Sequence, residues 1–405
     1  MTTKLTVLFD LDDTLLGNDM DIFMPGYLSI LSASLPDIPI NTLTSELMTG
    51  IKKMMKKTNF LDTLEDVFNN HFYPAIGATM EDLQAPLDHL YQDRFPTLQT
   101  LTTSRPEARM LISEIQNRGY PMVVATNPVF PRVAQLQRLC WAGFPNADTI
   151  FQDISSFEFY HFSKPHPEYF AEILLRNNLW AYPVVMIGND LVNDILPAEQ
   201  LGITTFWINE AGIKNDAQSV LSSAGTLSDI LPWLEQITER IKPLSWNQTL
   251  SQIITNLNTT PAVFDSLVMN KTPIINQNQS AKWNLCNIIQ HLVDGDKQVN
   301  IPRIRQFYQE KTPYITSMDL DKLSNTNQCP DDVQQILSQF FFTRFELISL
   351  IKNAPDEVLQ KKGIHTIFGP TSFIDIVDFI AIHDRNHIKQ AIDLRNAPAE
   401  LSEII

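Results

Sequence analysis

Val7-Leu8-Phe9-Asp10-Leu11-Asp12-Asp13-Thr14-Leu15-Leu16 is an apolar run of strand type that ends by delivering two carboxylates two residues apart. Side chains alternate along extended backbone, so Asp10 and Asp12 can share a face where the strand ends. Two acids this close repel unless a proton or a cation lies between them. The pair suits a nucleophilic aspartate beside an acid/base aspartate, with Mg2+ holding both. Taken alone it suits a loop or a helix N-cap as well, and only ordered partners downstream would make it specific.

Such partners follow. Pro121-Met122-Val123-Val124-Ala125 is a second buried-strand run, and it ends in Thr126-Asn127. A hydroxyl at a strand terminus, followed by free backbone N–H groups, suits a phosphate oxygen. Ser163-Lys164-Pro165-His166-Pro167-Glu168 sets a lysine in a proline-stiffened loop. A compact ammonium there would neutralise charge on a transferring phosphoryl group. A third run, Pro183-Val184-Val185-Met186-Ile187, delivers Gly188-Asn189-Asp190-Leu191-Val192-Asn193-Asp194, with two acids four apart where a strand meets a helix. Four strand ends are thus expected to carry carboxylate, hydroxyl, ammonium and carboxylate, the inventory of a metal-assisted phosphoryl-transfer site. Each residue singly reads equally well as a surface or capping group.

In order, these motifs resemble the haloacid dehalogenase (HAD) superfamily of phosphohydrolases over roughly residues 1–240. The resemblance implies that Asp10 is the nucleophile, forming an aspartyl phosphate, and that Asp12 protonates the leaving oxygen and then activates water. It implies phosphate binding by Thr126, Asn127 and Lys164, with Lys164 also steadying Asp10. Asp190 would ligate Mg2+ with the Asp10 carboxylate and the Asp12 main-chain carbonyl, and Asp194 would complete the acidic cluster. Dehalogenases of the superfamily lack the second aspartate and its transport ATPases carry threonine there. Asp12 therefore favours a phosphatase or phosphomutase, whose leaving alcohol needs a proton. Hydrolysis of a small phosphorylated metabolite is the first expectation.

The stretch at about 17–105 is not needed by a Rossmann-like core. Phe60-Leu61-Asp62-Thr63-Leu64-Glu65-Asp66-Val67-Phe68 has helical apolar spacing, and Leu83, Leu87 and Leu90 repeat it. This reads as a helical cap inserted after the first strand, resembling the C1-capped branch, and a cap excludes water and contacts the leaving group. Lys52, Lys53, Lys56 and Lys57 could face an anionic substrate or be a solvated face.

At 405 residues the chain suggests two or three domains. A net charge of -16 argues against nucleic acid or anionic membrane as the main partner. No apolar run reaches the roughly eighteen residues of a membrane span, and the N-terminus runs into the first strand without a basic-then-apolar signal. Cys140, Cys286 and Cys329 are far apart and fit no disulfide or zinc pattern, so a reduced cytoplasm is the expected compartment. The oligomeric state is open, a homodimer among the options.

Ile203-Thr204-Thr205-Phe206-Trp207-Ile208 reads as the last strand of a first domain, followed by a helix from Leu227 to Ile241. The expected division is a domain at 1–241 (core 1–16 and about 106–241), a proline-marked linker at 242–245, and a second domain at 246–405. In the latter, four long amphipathic stretches, roughly 246–268, 281–310, 330–353 and 371–395, argue for a four-helix bundle. The fold class is therefore an α/β Rossmann-like core with a helical cap, followed by an all-α bundle.

Within the bundle, Ala381-Ile382-His383-Asp384-Arg385-Asn386-His387 sets two imidazoles four apart on the face that also carries Ile376 and Ile380. His291 lies among apolar neighbours on another helix. Three neutral imidazoles could give three ligands to a divalent metal and leave a position open; each could also be hydrogen-bonded singly. Trp283, His291, His383, His387 and Gln390 resemble the hallmarks of the DinB-like superfamily, which includes thiol-dependent transferases. The resemblance implies Ni2+, Zn2+ or a similar ion on His291, His383 and His387, with Asp294 and Asp384 as candidate outer partners. Three functions stay open: a phosphomonoesterase, a separate metal-dependent (thiol) transferase or hydrolase in the bundle, and a non-catalytic metal-sensing or assembly bundle.

Overall fold

Thr6–Phe9 (β1) is buried on both faces, as a central strand of a parallel sheet must be. The computed structural model describes residues 5–209, 221–244, 249–269, 283–317 and 332–396. The chain divides into two units, Met1–Ser245 and Trp246–Ile405.

In the first unit β1 is followed by the two-residue β2 (Leu16–Gly17) and then by helices α1 (Met20–Ser34), α2 (Ile40–Lys56), α3 (Leu64–Ile76) and α4 (Met80–His89). A π turn at Leu90–Arg94 and a 3-10 segment at Phe95–Leu101 lead to β3 (Thr103–Ser104). β2 and β3 pair antiparallel, Leu16 opposite Ser104 and Gly17 opposite Thr103, so the chain enters and leaves the helical insert through one narrow ribbon. A Cβ on Gly17 would collide with Thr103 Oγ1, which is why this crossing needs glycine. The helix expected from Phe60 starts instead at Leu64. Thr63 accepts from the Asp66 N–H while the Asp66 side chain bonds the Thr63 N–H, a capping box that stops the helix from extending backward.

The core then continues through α5 (Pro106–Asn117), β4 (Met122–Val124), α6 (Arg132–Trp141), α7 (Ala147–Ile150), β5 (Asp153–Ile154) and α8 (Pro167–Arg176). It closes with β6 (Val184–Gly188), a π turn at Leu191–Ile195, α9 (Leu196–Gln200), β7 (Thr204–Ile208), β8 (Ser223–Gly225) and α10 (Ile230–Ile237). The six strands lie in the order β5-β4-β1-β6-β7-β8, all parallel. β1 sits between β4 and β6, with Phe9 opposite both Val124 and Ile187, so three chain segments reach one edge of the sheet together. Two details differ from expectation. β8 extends the sheet beyond Ile208, carried by Ser-Ala-Gly with no apolar signature, and the last helix is shorter than Leu227–Ile241.

In the second unit α11 (Leu250–Met269) packs on α14 (Val333–Lys352) and α16 (Phe373–Arg395), and α12 (Leu285–Gly295) packs on the same two helices. A π turn at Asp296–Asn300 carries α12 on into α13 (Ile301–Gln309), and α15 (Asp356–Leu359) is a short turn before the last helix. The first residues of three expected stretches (246–248, 281–282 and 330–331) lie outside the described residues. A small sheet was not expected: β9 (Tyr314–Ile315), β10 (Lys362–His365) and β11 (Gly369–Ser372) order as β11-β10-β9. β10 and β11 form a hairpin across Thr366–Phe368, with Gly369 at φ 71. Glycine in both arms and proline in the second conceal the alternation that would announce it.

Cys140 is free and Cys286 is disulfide-bonded, which corrects the reading of three uncrosslinked cysteines; Cys329 lies outside the described residues. Separation along the sequence does not limit approach once helices fold back on one another. Among the described residues no helix is long and apolar enough to cross a membrane.

Candidate active site and candidate metal centre

The ends of β1, β4 and β6 and two loops converge on a cavity of about 650 Å³ lined by Asp10, Asp12, Thr126, Asn127, Lys164, Asp190 and Asp194, among others. Asp10 is fixed to the sheet by its N–H, which donates to the Ile187 carbonyl at 3.0 Å. Lys164, only 2% exposed, donates to Asp10 Oδ1 at 2.7 Å and to Asp194 Oδ1 at 2.5 Å. Lys164 stands not at a strand end but in the loop between β5 and α8, where a cis peptide precedes Pro165. Asp194 also accepts from the Asp190 N–H at 3.0 Å. Its side chain occupies the space where Gly188 would carry a Cβ.

Asp190 caps the turn that follows β6. Its Oδ1 accepts from the N–H groups of Val192 (2.8 Å) and Asn193 (3.0 Å), and its Oδ2 from Asn193 Nδ2 (2.7 Å). Burial raises its pKa, but these bonds outweigh that and hold the carboxyl below its ordinary value. Thr126 is buried, and its carbonyl accepts from the hydroxyls of Ser155 (2.7 Å) and Tyr169 (2.6 Å), which clamps the end of β4. Asn127 Oδ1 is buried without a hydrogen-bond partner.

Asp12 belongs to a different network. Its Oδ1 accepts from Asn18 Nδ2 at 2.7 Å and from Arg138 Nη2. Arg138 is 1% exposed, donates to Gln135 Oε1 at 3.0 Å and lies over the rings of Phe23 and Phe130. Sequence reading missed this residue, because a charged side chain on an amphipathic helix is normally solvated. The available signal is that Gln135 and Arg138 share the buried face of α6 with Ala134, Leu139 and Trp141.

Four carboxylates (Asp10, Asp12, Asp190, Asp194) thus meet two cationic side chains. Burial first, then Asp194, pushes Asp10 up to about 8 against the pull of Lys164. A cluster so over-supplied with carboxylate, all hard oxygen donors, fits a divalent cation such as Mg2+. Lys52, Lys53, Lys56 and Lys57, in and just after α2, are not part of it. Lys57 is buried and donates to the carbonyls of Asn59 and His161, Lys53 meets His71 Nδ1, and none of the four lines the cavity.

In the second unit the three histidines meet. His291 Nε2 and His383 Nε2 are 3.0 Å apart, and His387 Nε2 is 3.1 Å from His383 Nε2. One ligand atom from each lies within 4.8 Å of the others, close enough to share one ion. Gln390 Oε1 accepts from His387 Nδ1 at 3.0 Å, which assigns the proton to Nδ1 and turns the Nε2 lone pair toward the cluster. Trp283 stacks on the His387 ring at 5.8 Å and 6°. Burial first, then His387, lowers His383 to about 4, so its imidazole is neutral, as a ligand must be. Imidazole nitrogens converging from two helices fit a borderline transition ion.

Asp384 does not serve this cluster as expected. Asp294 accepts from Gln290 at 3.1 Å. Asp384 is turned to Arg344, which it binds through both oxygens, and Arg344 in turn binds Asp296, all three side chains being buried. One residue along a helix is a rotation of about 100°, enough to take Asp384 away from the histidine face.

Comparison with known proteins agrees with both halves. Residues 5–202 match the family model of haloacid dehalogenase-like hydrolases, and residues 234–391 match that of the DinB superfamily. The glyceraldehyde 3-phosphate phosphatase of Pyrococcus abyssi is 25% identical over 207 residues, 50% of this chain and 79% of its own length. A 2-haloacid dehalogenase structure from Pseudomonas syringae pv. Tomato is 22% identical with a TM-score of 0.42, covering 58% of this chain and 99% of its own. Bacillus subtilis YfiT, described as a probable metal-dependent hydrolase with an unusual four-helix bundle topology, is 18% identical with a TM-score of 0.32, covering 36% of this chain and 85% of its own. Both structural likenesses are too distant to bear on chemistry.

Proposed function

We propose that this chain, whose residues 5–202 belong to the haloacid dehalogenase-like hydrolases and whose residues 234–391 belong to the DinB superfamily, is a phosphomonoesterase joined to a separate metal-binding bundle. The observation that carries the first reading is Lys164, held between Asp10 and Asp194 in the cavity that also contains Thr126. An ammonium in that position steadies the nucleophile and balances the charge of an incoming phosphoryl group.

In this reading Asp10, with Oδ1 on Lys164, uses its other oxygen to attack phosphorus in line. The ester oxygen leaves with a proton from Asp12, giving an alcohol and an aspartyl phosphate. Asp12, now a carboxylate, takes a proton from water as the water attacks, and inorganic phosphate and Asp10 are released. The Thr126 hydroxyl and the backbone N–H groups after β4 hold phosphoryl oxygens. Arg138 and Asn18 orient Asp12. Asp10, Asp190 and the Asp12 carbonyl would hold Mg2+, which supplies charge neutralisation when bound. Asp194, with Oδ1 on Lys164 and Oδ2 on the Asp190 N–H, positions Lys164 and would complete the acidic cluster. The family and the phosphatase names of relatives favour a small phosphorylated metabolite as substrate. A phosphorylated-metabolite screen with Mg2+ tests the reading, and absence of phosphate release from every ester, p-nitrophenyl phosphate included, would sink it.

For the bundle, the convergence of three Nε2 atoms favours a bound transition ion, Ni2+ or Zn2+, on His291, His383 and His387. Such a site can carry a separate transferase or hydrolase reaction, or sense metal. Elemental analysis of tag-free protein tests occupancy, and a change in fold or assembly without any turnover would favour the sensing role.

A further inference from the structure

The helical insert and the core enclose a second cavity, of about 260 Å³, which shares Ile51, Val129 and Phe130 with the wall of the active-site cavity. Its lining is aromatic: Tyr27, Phe68, Phe72, Tyr91 and Phe157 contribute rings, Phe68 stacked on Phe72 at 4.9 Å and 6.3 Å from Phe157. The hydroxyls of Tyr27 and Tyr91 bond one another at 3.0 Å at its inner end. Exposed Met80, Gln84 and Asp88 stand at its outer end, so a ligand can enter from solvent.

The charge of this cavity is one-sided. Glu65, Asp88 and Glu158 line it, and among the described residues no lysine, arginine or histidine does. Glu158 Oε1 accepts from the Arg132 N–H at 2.7 Å, but its Oε2 is buried with no hydrogen-bond partner. Burial and then the neighbouring Glu158 push Glu65 up to about 7. Aromatic faces carry negative quadrupole charge, so they add to the same field instead of offsetting it. Such walls repel phosphate and carboxylate and attract a positive charge with an apolar body.

We infer that this cavity binds an organic ammonium group, held between Glu65 and Glu158 against the rings of Phe68, Phe72 and Phe157. The reading does not depend on the phosphatase assignment. The shared wall allows two sources for the group, the leaving-group end of an amine-bearing phosphate ester or a separate amine ligand.

Calorimetric titration of the full chain with phenethylammonium, and with 2-phenylethanol as its uncharged counterpart, tests the inference without turnover. The ammonium should bind at least about tenfold more tightly than the alcohol. Glu65→Gln and Glu158→Gln should each erase most of that preference; glutamine at 158 keeps an acceptor for the Arg132 N–H. Should a glutamine variant fail a melting check, Phe68→Leu retains both acids and should weaken the ammonium more than the alcohol. Equal affinity for the two probes, no binding of either, or a preference untouched by these substitutions would overturn the inference. Competition with p-nitrophenyl phosphate then separates the sources: a raised KM alone assigns the amine to the substrate, and a changed kcat assigns it to a separate ligand, the site standing in both cases.

Discussion

The two candidate sites solve opposite electrostatic problems. At the strand ends of the first unit, four carboxylates meet Lys164 and Arg138, and burial first, then Asp194, pushes Asp10 up to about 8. In the bundle, three imidazoles are gathered in a partly buried place and His383 is pushed down to about 4. The first site is built of carboxylate oxygens around two buried cationic side chains; the second gathers imidazole nitrogens. Hard oxygen donors favour a weakly held, exchanging Mg2+, whereas imidazoles favour an ion that survives purification. The same chain thus presents two metal preferences that should respond separately to mutation.

The strongest attack on this contrast is Asp10→Asn, which keeps the shape and removes the attacking charge. Phosphatase turnover should fall by at least about three orders of magnitude while transition-metal content stays unchanged; a variant keeping a tenth of its rate would show that Asp10 is not the nucleophile. The next largest effect concerns stability. Arg344→Leu would strand Asp296 and Asp384 as buried, unpaired carboxylates, and loss of one partner of such a pair costs about 3–5 kcal/mol. Urea unfolding of the second unit should register it, and a change under 1 kcal/mol (about a third of the lower bound) would mean that the acids simply become protonated without penalty.

A smaller, pH-dependent effect follows from His383 in metal-free protein. Its folded value near 4 lies below its ordinary 6.5, so between these values the unfolded chain binds more protons than the folded one. Stability should therefore fall as pH drops through that window. Adding Zn2+ or Ni2+ should shift the onset to lower pH, and a flat stability profile from 6.5 to 4 would contradict a neutral buried imidazole. The smallest expected effect is the most discriminating. His383→Ala should remove the transition ion and leave p-nitrophenyl phosphate hydrolysis within about twofold, the scatter expected of sites that act independently. Collapse of that activity in a folded variant would end the picture of two independent sites.

What could be read from sequence follows the physics of each contact. Asp10, Thr126 and Asp190 were legible because buried parallel strands write themselves as continuous apolar runs, and the site lies where those runs stop. Lys164 was legible only through its place in the motif order, since nothing local reports a contact with Asp10. Arg138 was not legible, because its burial depends on Asp12 and two rings supplied by other segments. The histidines were legible from helical spacing, but Asp384 was assigned to them by adjacency, which on a helix means a different face. The β10–β11 hairpin was hidden by short strands broken by glycine and proline.

The ribbon at Leu16–Gly17 and Thr103–Ser104 has a mechanical meaning. Asp13, at φ 52, sits just ahead of it; Asn18, just beyond it, bonds both Asp12 and Asp13, and Arg105 binds the Asp13 carbonyl. Both tethers of the helical insert therefore end on the turn that carries Asp12, whereas Asp10 is anchored to the sheet through Ile187. A swing of the insert about this axle would pull on the turn that carries Asp12, against its bond to Arg138 of the core, and leave Asp10 still, so that the proposed proton donor and the proposed nucleophile differ in what anchors them.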